Sequence, residues 1–325
     1  MTVLEAIQKS AEFLGKKGVE SPRLHTELLL AHLLKLPRMK LYLNFDRVLT
    51  APETDALREL VKRRGLREPL QHITGSTSFC GHEIAVSRHA LVPRPETELL
   101  AELGWEFLAE RRSSDRPERA DTAKLADQEI GAPTALDFGT GTGCIAIALA
   151  TKCPNAKITA LDISADALAL AKQNAEQNQV AERIGFLHGD GFAALLGGWG
   201  ERPREPWWPS ARTGSPGVSP HQFDLIISNP PYIASAEIAT LDPEVRDFDP
   251  RAALDGGADG LDFYRRLAAE AKPFLKPDGK IMVEFGDGQA DGIQNIFEAE
   301  KWIVEAVQED YSHRARILVA RTNQV

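Results

Sequence analysis

Asn229-Pro230-Pro231-Tyr232 follows an apolar run, Phe223 to Ser228, of the length of a buried strand. Two successive prolines lack backbone N–H groups and stop the strand, and the first pushes Asn229 toward extended geometry. The outcome is a stiff turn at the C-terminal end of a strand, the edge at which open α/β sheets take ligands. Its polar groups suit a planar amide or amidine. The Asn229 side-chain oxygen and the Pro230 carbonyl can both accept from one NH2 group, and the Tyr232 ring can lie over its plane. A strand-turn with the same letters and no chemistry is the plain alternative. A second stretch, Asp137-Phe138-Gly139-Thr140-Gly141-Thr142-Gly143, is rich in glycine, which permits φ > 0 and lets a ligand approach the backbone. It fails the dinucleotide fingerprint, because Cys144 stands where G-x-G-x-x-G needs its last glycine. Asp162, ~20 residues on, suits a ribose diol in either ligand class. Asp190 can accept from an adenine amino group or cap a helix.

These residues need a sheet to carry them, and the chain supplies one. From Thr134 the pattern alternates, with strands expected at 134–138, 157–162, 183–188, 223–228, 279–285, 302–307 and 314–320. Helices are expected between them at 143–152, 164–178, 260–275 and 288–299. Such alternation implies a mostly parallel sheet covered on both faces. The glycine loop, Asp162, Asp190 and Asn229 then fall at one sheet edge.

Residues 1–68 read instead as a small helical domain. Val3, Ile7, Ala11 and Leu14 share one helix face, Leu24–Leu36 is apolar nearly all round, and Thr50 can cap a helix ending at Gly65. Lys62, Arg63, Arg64 and Arg67 read as a solvated basic face, with partner contact as the alternative. Residues 69–94 form a linker and hairpin, and a helix opens at Pro95 and runs to about Arg111. The larger domain spans 95–325, with a polar loop at 112–132 and an insertion at 197–222 that carries Trp199, Trp207 and Trp208.

Net charge is −9, unevenly spread: residues 1–70 hold 13 basic against 9 acidic residues, leaving the remainder strongly acidic. An acidic body argues against tight duplex binding, which needs phosphate neutralisation. The basic balance of the helical domain suggests that it docks an acidic partner face. No apolar run is long enough to cross a membrane and no secretory signal is visible, so a cytoplasmic location is expected. Cys80, Cys144 and Cys153 read as reduced thiols, and no metal site is expected.

The ordered set of glycine loop, Asp162, Asp190 and Asn-Pro-Pro-Tyr resembles the S-adenosylmethionine-dependent methyltransferases that alkylate planar NH2 groups. Three flanking stretches narrow this: Pro69–Gly75, Leu91-Val-Pro-Arg-Pro-Glu-Thr-Glu98, and Asp249–Gly257 with Asp259–Asp262. They are similar to those of the peptide chain release factor glutamine methyltransferases, the HemK/PrmC family, and the resemblance spans nearly the whole chain. It implies a class I methyltransferase fold, Rossmann-like with a mostly parallel seven-stranded sheet, and a helical N-terminal substrate-recognition domain. It implies S-adenosylmethionine held by Gly139, Thr140, Gly141, Thr142, Gly143, Asp162, Asp190, Gly191 and Asn229. It implies an acceptor site of Asn229, Pro230, Pro231 and Tyr232, and as substrate the Gly-Gly-Gln glutamine of class I release factors, methylated at N5 by a monomer.

Three alternatives stand beside it. A ribosomal-protein glutamine methyltransferase shares Asn-Pro-Pro-Tyr, and Phe79–Glu83 is similar to that group. An adenine-N6 nucleic-acid methyltransferase would bring a basic DNA-reading domain, and the third alternative is a non-catalytic release-factor-binding adaptor. The chain departs from the family at Phe138, which replaces a commoner aliphatic residue, and at Gly191, where a bulky residue often stands beside the adenine. Trp207 or Trp208 folding back over that gap is the expectation for the insertion.

Overall fold

The computed structural model of the protein describes residues 1–114, 132–196 and 222–323. In chain order its elements are α1 (Val3–Lys16), α2 (Pro22–Leu34), α3 (Arg38–Leu41), α4 (Ala51–Gly65), α5 (Leu70–Thr74), β1 (Ser76–Phe79), β2 (His82–Ala85) and α6 (Pro95–Ser114). The alternating part follows: β3 (Thr134–Phe138), α7 (Cys144–Lys152), β4 (Lys157–Asp162), α8 (Ala165–Gln177), β5 (Ile184–His188) and β6 (Phe223–Ser228). It ends with α9 (Pro243–Arg246), α10 (Asp262–Glu270), β7 (Leu275–Glu284), α11 (Ala290–Ala299), β8 (Trp302–Glu309) and β9 (Ala315–Thr322). No described helix is long and apolar enough to cross a membrane. The expected Trp207 or Trp208 cover and most of the 112–132 loop lie outside the described residues.

These elements form two compact units. The first comprises Met1–Thr77, Val86–Arg88 and Ala239–Asp249, so it extends past the helical stretch 1–68 and takes in a piece of distant sequence. Thr2 and Thr50 each close a capping box, with Glu5 and Glu53, and so fix the starts of α1 and α4. Ile7, Leu14, Leu29, Leu30, Leu41 and Leu57 fill its core.

The basic face expected at the end of α4 is not free. Arg63 forks onto Glu68 at 2.8 and 2.7 Å. Arg64, only 3% exposed, donates to His25 Nδ1, to the Glu68 carbonyl and to Glu244 (2.6 Å), while Arg67 donates to Glu244 (2.6 Å) and the Gly18 carbonyl. The solvated-face reading is therefore corrected for Arg64, and a docking patch built on these three arginines is spent on internal pairs. Sequence reasoning missed this because Glu244 lies 180 residues from Arg64. Burial, and the Arg64 charge, push the His25 imidazole pKa down, which keeps it the neutral acceptor this bond needs. Glu244→Ala strands a buried guanidinium and should cost the first unit about 2 kcal/mol, measurable by urea unfolding. A loss under about 0.5 kcal/mol would mean that the cluster is not a structural clasp.

The second unit comprises Ser78–Ala85, His89–Ile238 and Pro250–Val325 and holds a seven-stranded sheet of order β5-β4-β3-β6-β7-β9-β8. The β5, β4, β3, β6 and β7 ladder is parallel, and β9, slotted between β7 and β8, runs antiparallel to both. One face is covered by α6 and α7 with Phe79 and Ile84 of the hairpin; the other is covered by Tyr264 and Leu267 of α10 and Ile293 and Phe297 of α11. Chain order reverses between β4-β3 and β6, which opens a crevice at the carboxyl ends of β3 and β6.

Sequence-derived strands and observed ones agree to within a few residues, with one instructive difference. The helix expected over 260–275 stops at Glu270, and a tight turn over Lys272–Phe274 leads straight into β7. Pro273 has no N–H to continue α10. The early part of β7 then pairs irregularly with β6 between Phe223 and Leu225, with Asp278 at φ 59°.

Candidate active site

The crevice holds a cavity of about 280 Å³ whose lining includes Gly139, Thr140, Gly141, Thr142, Asp162, Asp190, Gly191, Asn229 and Pro231. Gly143, Pro230 and Tyr232 stand outside that lining. Gly143 adopts φ 80° and starts α7, and a Cβ there would sit 3.0 Å from that of Ala171, so its duty is close helix packing. Pro230 is buried behind the turn.

The glycine loop is held from behind by Asp137. Its Oδ2 accepts from Thr140 Oγ1 (2.6 Å) and from the Ala146 N–H (3.1 Å), which ties the loop to the first turn of α7. Complete burial pushes the Asp137 carboxyl up to about 7. Buried Asn174 of α8 adds a second brace, donating to the Thr142 carbonyl (2.9 Å) and bridging both backbone groups of Ala85. Gly139, at φ 74°, faces open space.

Asp162 ends β4 with Oδ2 accepting from the Gly141 N–H and Oδ1 from the Ser164 N–H, both at 2.8 Å. The carboxylate is thus aimed along the rim with lone pairs to spare. Burial raises its pKa, and these backbone N–H bonds partly offset the rise.

Asp190 and Gly191 are placed differently from a bare acceptor and a gap. Arg266 of α10, itself part of the cavity lining, donates to Asp190 Oδ1 (2.5 Å) and to the Asp190 carbonyl (3.2 Å). Gly191 has φ 61°, and a Cβ on it would collide with the Arg266 guanidinium. The space beside the cavity that a bulky residue 191 would take is therefore filled by arginine. Phe138 packs as expected of a core residue, 5.0 Å from Phe192, which stacks on Phe274 at 4.9 Å.

At the other end, Ser228 Oγ donates to the Phe138 carbonyl (2.6 Å) and locks the end of β6 to that of β3. Asn229 Nδ2 donates to Thr97 Oγ1 of α6 (3.0 Å), and Asn229 Oδ1 is buried without a protein partner. Buried acceptors are ordinarily bonded, so this oxygen is an acceptor the protein leaves unused, on a residue that lines the cavity. Tyr232 is anchored through its carbonyl to Gln289 Nε2 (2.8 Å), and Gln289 Oε1 accepts from the Gly286 N–H (2.9 Å). A Cβ at Gly286 would lie 3.0 Å from the Tyr232 ring, and one at Gly256 would lie 2.8 Å from the Pro231 carbonyl. Gly260 crowds the Tyr232 carbonyl in the same way. Gly256 and Gly260 thus form a backbone cradle for the Pro-Pro-Tyr turn.

Sequence reasoning passed over Thr97, Arg266, Gln289 and Glu284. Thr97 sits inside the Pro-Arg-Pro-Glu-Thr-Glu stretch but served there only as a family mark. Glu284 had a readable signal, an acid closing the apolar run Ile281–Val283. Nothing in the sequence marks Arg266.

The donor set fits a methyl-donor nucleoside: an open glycine backbone, a rim carboxylate for a diol, a planar guanidinium, and an unused amide oxygen for an acceptor nitrogen. The chain is matched by the PrmC N-terminal domain model over residues 5–75 and by a methyltransferase domain model over 132–318. It is 40% identical over 296 residues to a release factor glutamine methyltransferase of Geobacter sulfurreducens, covering 91% of this chain and 88% of that one. It is 38% identical over 312 residues to one of Chlorobaculum tepidum, covering 96% and 94% of the two chains. It is 36% identical over 324 residues to one of Nitratidesulfovibrio vulgaris, covering 99% and 96%. Braced glycine loop, rim carboxylate, Asn-Pro-Pro-Tyr turn and near-complete alignment agree, and the chain belongs to the release factor glutamine methyltransferase family.

Proposed function

We propose that the protein methylates the side-chain amide nitrogen, N5, of the glutamine in the Gly-Gly-Gln motif of class I peptide chain release factors, with S-adenosylmethionine as donor. The observation that carries this is the buried, unpartnered Oδ1 of Asn229, a residue that lines one cavity with the glycine loop and Asp162. S-adenosylmethionine, when bound, supplies an electrophilic methyl group. The rest is done by the chain. An amide nitrogen is a poor nucleophile because its lone pair is delocalised, so the site has to fix its position and favour the charge it acquires. Asn229 Oδ1 and the Pro230 carbonyl accept hydrogen bonds from the two amide N–H groups, which favours positive charge on nitrogen, and the methylated nitrogen then gives up one proton to solvent. Tyr232, anchored through Gln289, fixes the plane of the amide.

Arg266 fills the space beside Gly191 at the cavity. Its guanidinium, fixed by Asp190, offers a flat cationic face to the adenine. Arg266→Ala should weaken S-adenosylhomocysteine binding by ~1 kcal/mol, or about fivefold, in calorimetry. Unchanged affinity would place the adenine elsewhere.

The function itself is tested with labelled methyl donor offered separately to purified release factor, ribosomal proteins, tRNA and DNA. Label on release factor alone is the expected result. Label confined to ribosomal protein or nucleic acid would replace the reading, and no label with intact donor binding would favour the adaptor.

A further inference from the structure

Glu284, the last residue of β7, is 3% exposed and lies behind the acceptor turn. Its placement follows from the sheet: Ser228 of β6 pairs in parallel register with Val283 of β7, so the next residues, Asn229 and Glu284, leave the sheet side by side. The carboxyl meets Thr97 from the first turn of α6 and Asn229 from β6, and both hydrogen-bond to its charged form. Its Oε2 has no protein partner. The backbone is pinned as well, since the Tyr264 hydroxyl donates to the Glu284 carbonyl at 2.7 Å. A buried acid is expensive unless it is paired. A core position at the end of an apolar strand could have been filled by an aliphatic residue.

We propose that Glu284 is the positioning residue of the acceptor clamp: acting through Thr97 it holds the Asn229 amide with Oδ1 turned to the acceptor, and its carboxylate sets negative charge behind the nitrogen that becomes positive. Two features make this an arrangement and not merely a buried acid. An asparagine amide can present either its oxygen or its NH2 to the cavity, and only the oxygen can accept from an acceptor amine. With Thr97 Oγ1 accepting from Asn229 Nδ2, the Thr97 hydroxyl proton is turned away, toward Glu284, and the Asn229 oxygen is the amide group left without a protein partner. The chain Asn229–Thr97–Glu284 therefore runs one way as long as Glu284 is ionised. Protonated Glu284 competes as a donor for Thr97 and loosens that order.

Burial, the largest influence, pushes the Glu284 carboxyl up to about 7. Glu96, from the start of α6, raises it further, whereas Thr97, Arg316 of β9 and Asn229 act in the opposite direction. Tyr232 and Tyr264 are the phenols that feel its charge, and both stay protonated because burial and Glu284 raise their pKa values. Asp137, on the other side of the cavity, is the second acid held near neutrality. Turnover should therefore rise with pH through about 7, as Glu284 ionises, while donor binding stays flat in that range.

The inference rests on the amide-acceptor reading above, and the test separates the two. Glu284→Gln keeps the shape and an acceptor for Thr97 but removes the charge. We expect kcat on release factor to fall about tenfold or more above neutral pH, with S-adenosylhomocysteine affinity and the KM for release factor nearly unchanged. The rise of kcat through neutrality should vanish in Glu284→Gln, and Asp137 would account for any that is left. Its melting temperature above neutral pH should equal or exceed that of the wild type, because a costly buried charge is gone. Thr97→Val cuts the link through Thr97 while leaving the carboxylate and its direct bond from Asn229, and should show a smaller kcat loss in the same direction. A Glu284→Gln enzyme with wild-type kcat and wild-type pH profile would overturn the proposal. So would lost donor binding with a lower melting temperature at every pH, which would mark a purely structural role. A wild-type enzyme that binds donor and leaves release factor unmethylated would overturn the function and the positioning role together.

Discussion

Asn229→Ala should slow methyl transfer to release factor ~10²–10³-fold while leaving S-adenosylhomocysteine affinity close to wild type. The expected effect is large because the lost acceptor acts where charge appears on nitrogen, and not on the ground-state amide. It should therefore appear in kcat, with only a small change in KM. The fold itself should tolerate the change. Asn229 Nδ2 donates to Thr97, the side chain also bonds to the Glu284 carboxylate, and its oxygen makes no bond to protein. Single-turnover kinetics with saturating donor would isolate the step. A rate within a few-fold of wild type would remove Asn229 from the acceptor clamp.

Asp162→Ala should weaken donor binding by roughly 1.5–3 kcal/mol, about 10- to 150-fold, because a charged acceptor for hydroxyl groups is lost. The loop would suffer too, since the Gly141 and Ser164 N–H groups lose their shared acceptor. Asp162→Asn keeps one acceptor oxygen and should show a smaller loss, separating charge from geometry. Burial raises the Asp162 pKa, so the wild type should release donor on acidification sooner than an ordinary carboxylate would, and Asp162→Ala should lack that dependence. Calorimetry at several pH values checks both, and equal affinities for the two variants and the wild type would put the ribose elsewhere.

The frame of this site was legible because its signals are local. Apolar runs of strand length, a glycine loop after the first and a double proline after the fourth are properties of neighbouring residues. They placed β3, β4, β6 and the Asn229 turn to within a residue or two. What sequence could not supply were the partners brought together by folding. Arg64 looked like one basic residue in a run until Glu244 met it. Asp190 looked like a free acceptor until Arg266 paired with it, and Gly191 looked like a gap until the same guanidinium filled it. Thr97 and Asn229 stand 132 residues apart, and no periodicity in either segment encodes their bond. The glycines of the 249–262 stretch were visible as letters, but their cause was not. Gly256 and Gly260 are small because the Pro231 and Tyr232 carbonyls pack against them, a constraint set by a turn about 25 residues earlier.

The claim on which the rest depends is that the acceptor is a glutamine amide nitrogen of a release factor, gripped by Asn229. It is tested most directly by incubating the enzyme and methyl donor with a purified class I release factor and locating the methyl group by tandem mass spectrometry. The account predicts one added methyl, on the side-chain nitrogen of the glutamine in Gly-Gly-Gln, absent with Asn229→Ala enzyme and absent when that glutamine is replaced. A methyl group on any other residue, or an unmodified release factor beside an enzyme that binds donor normally, would contradict it.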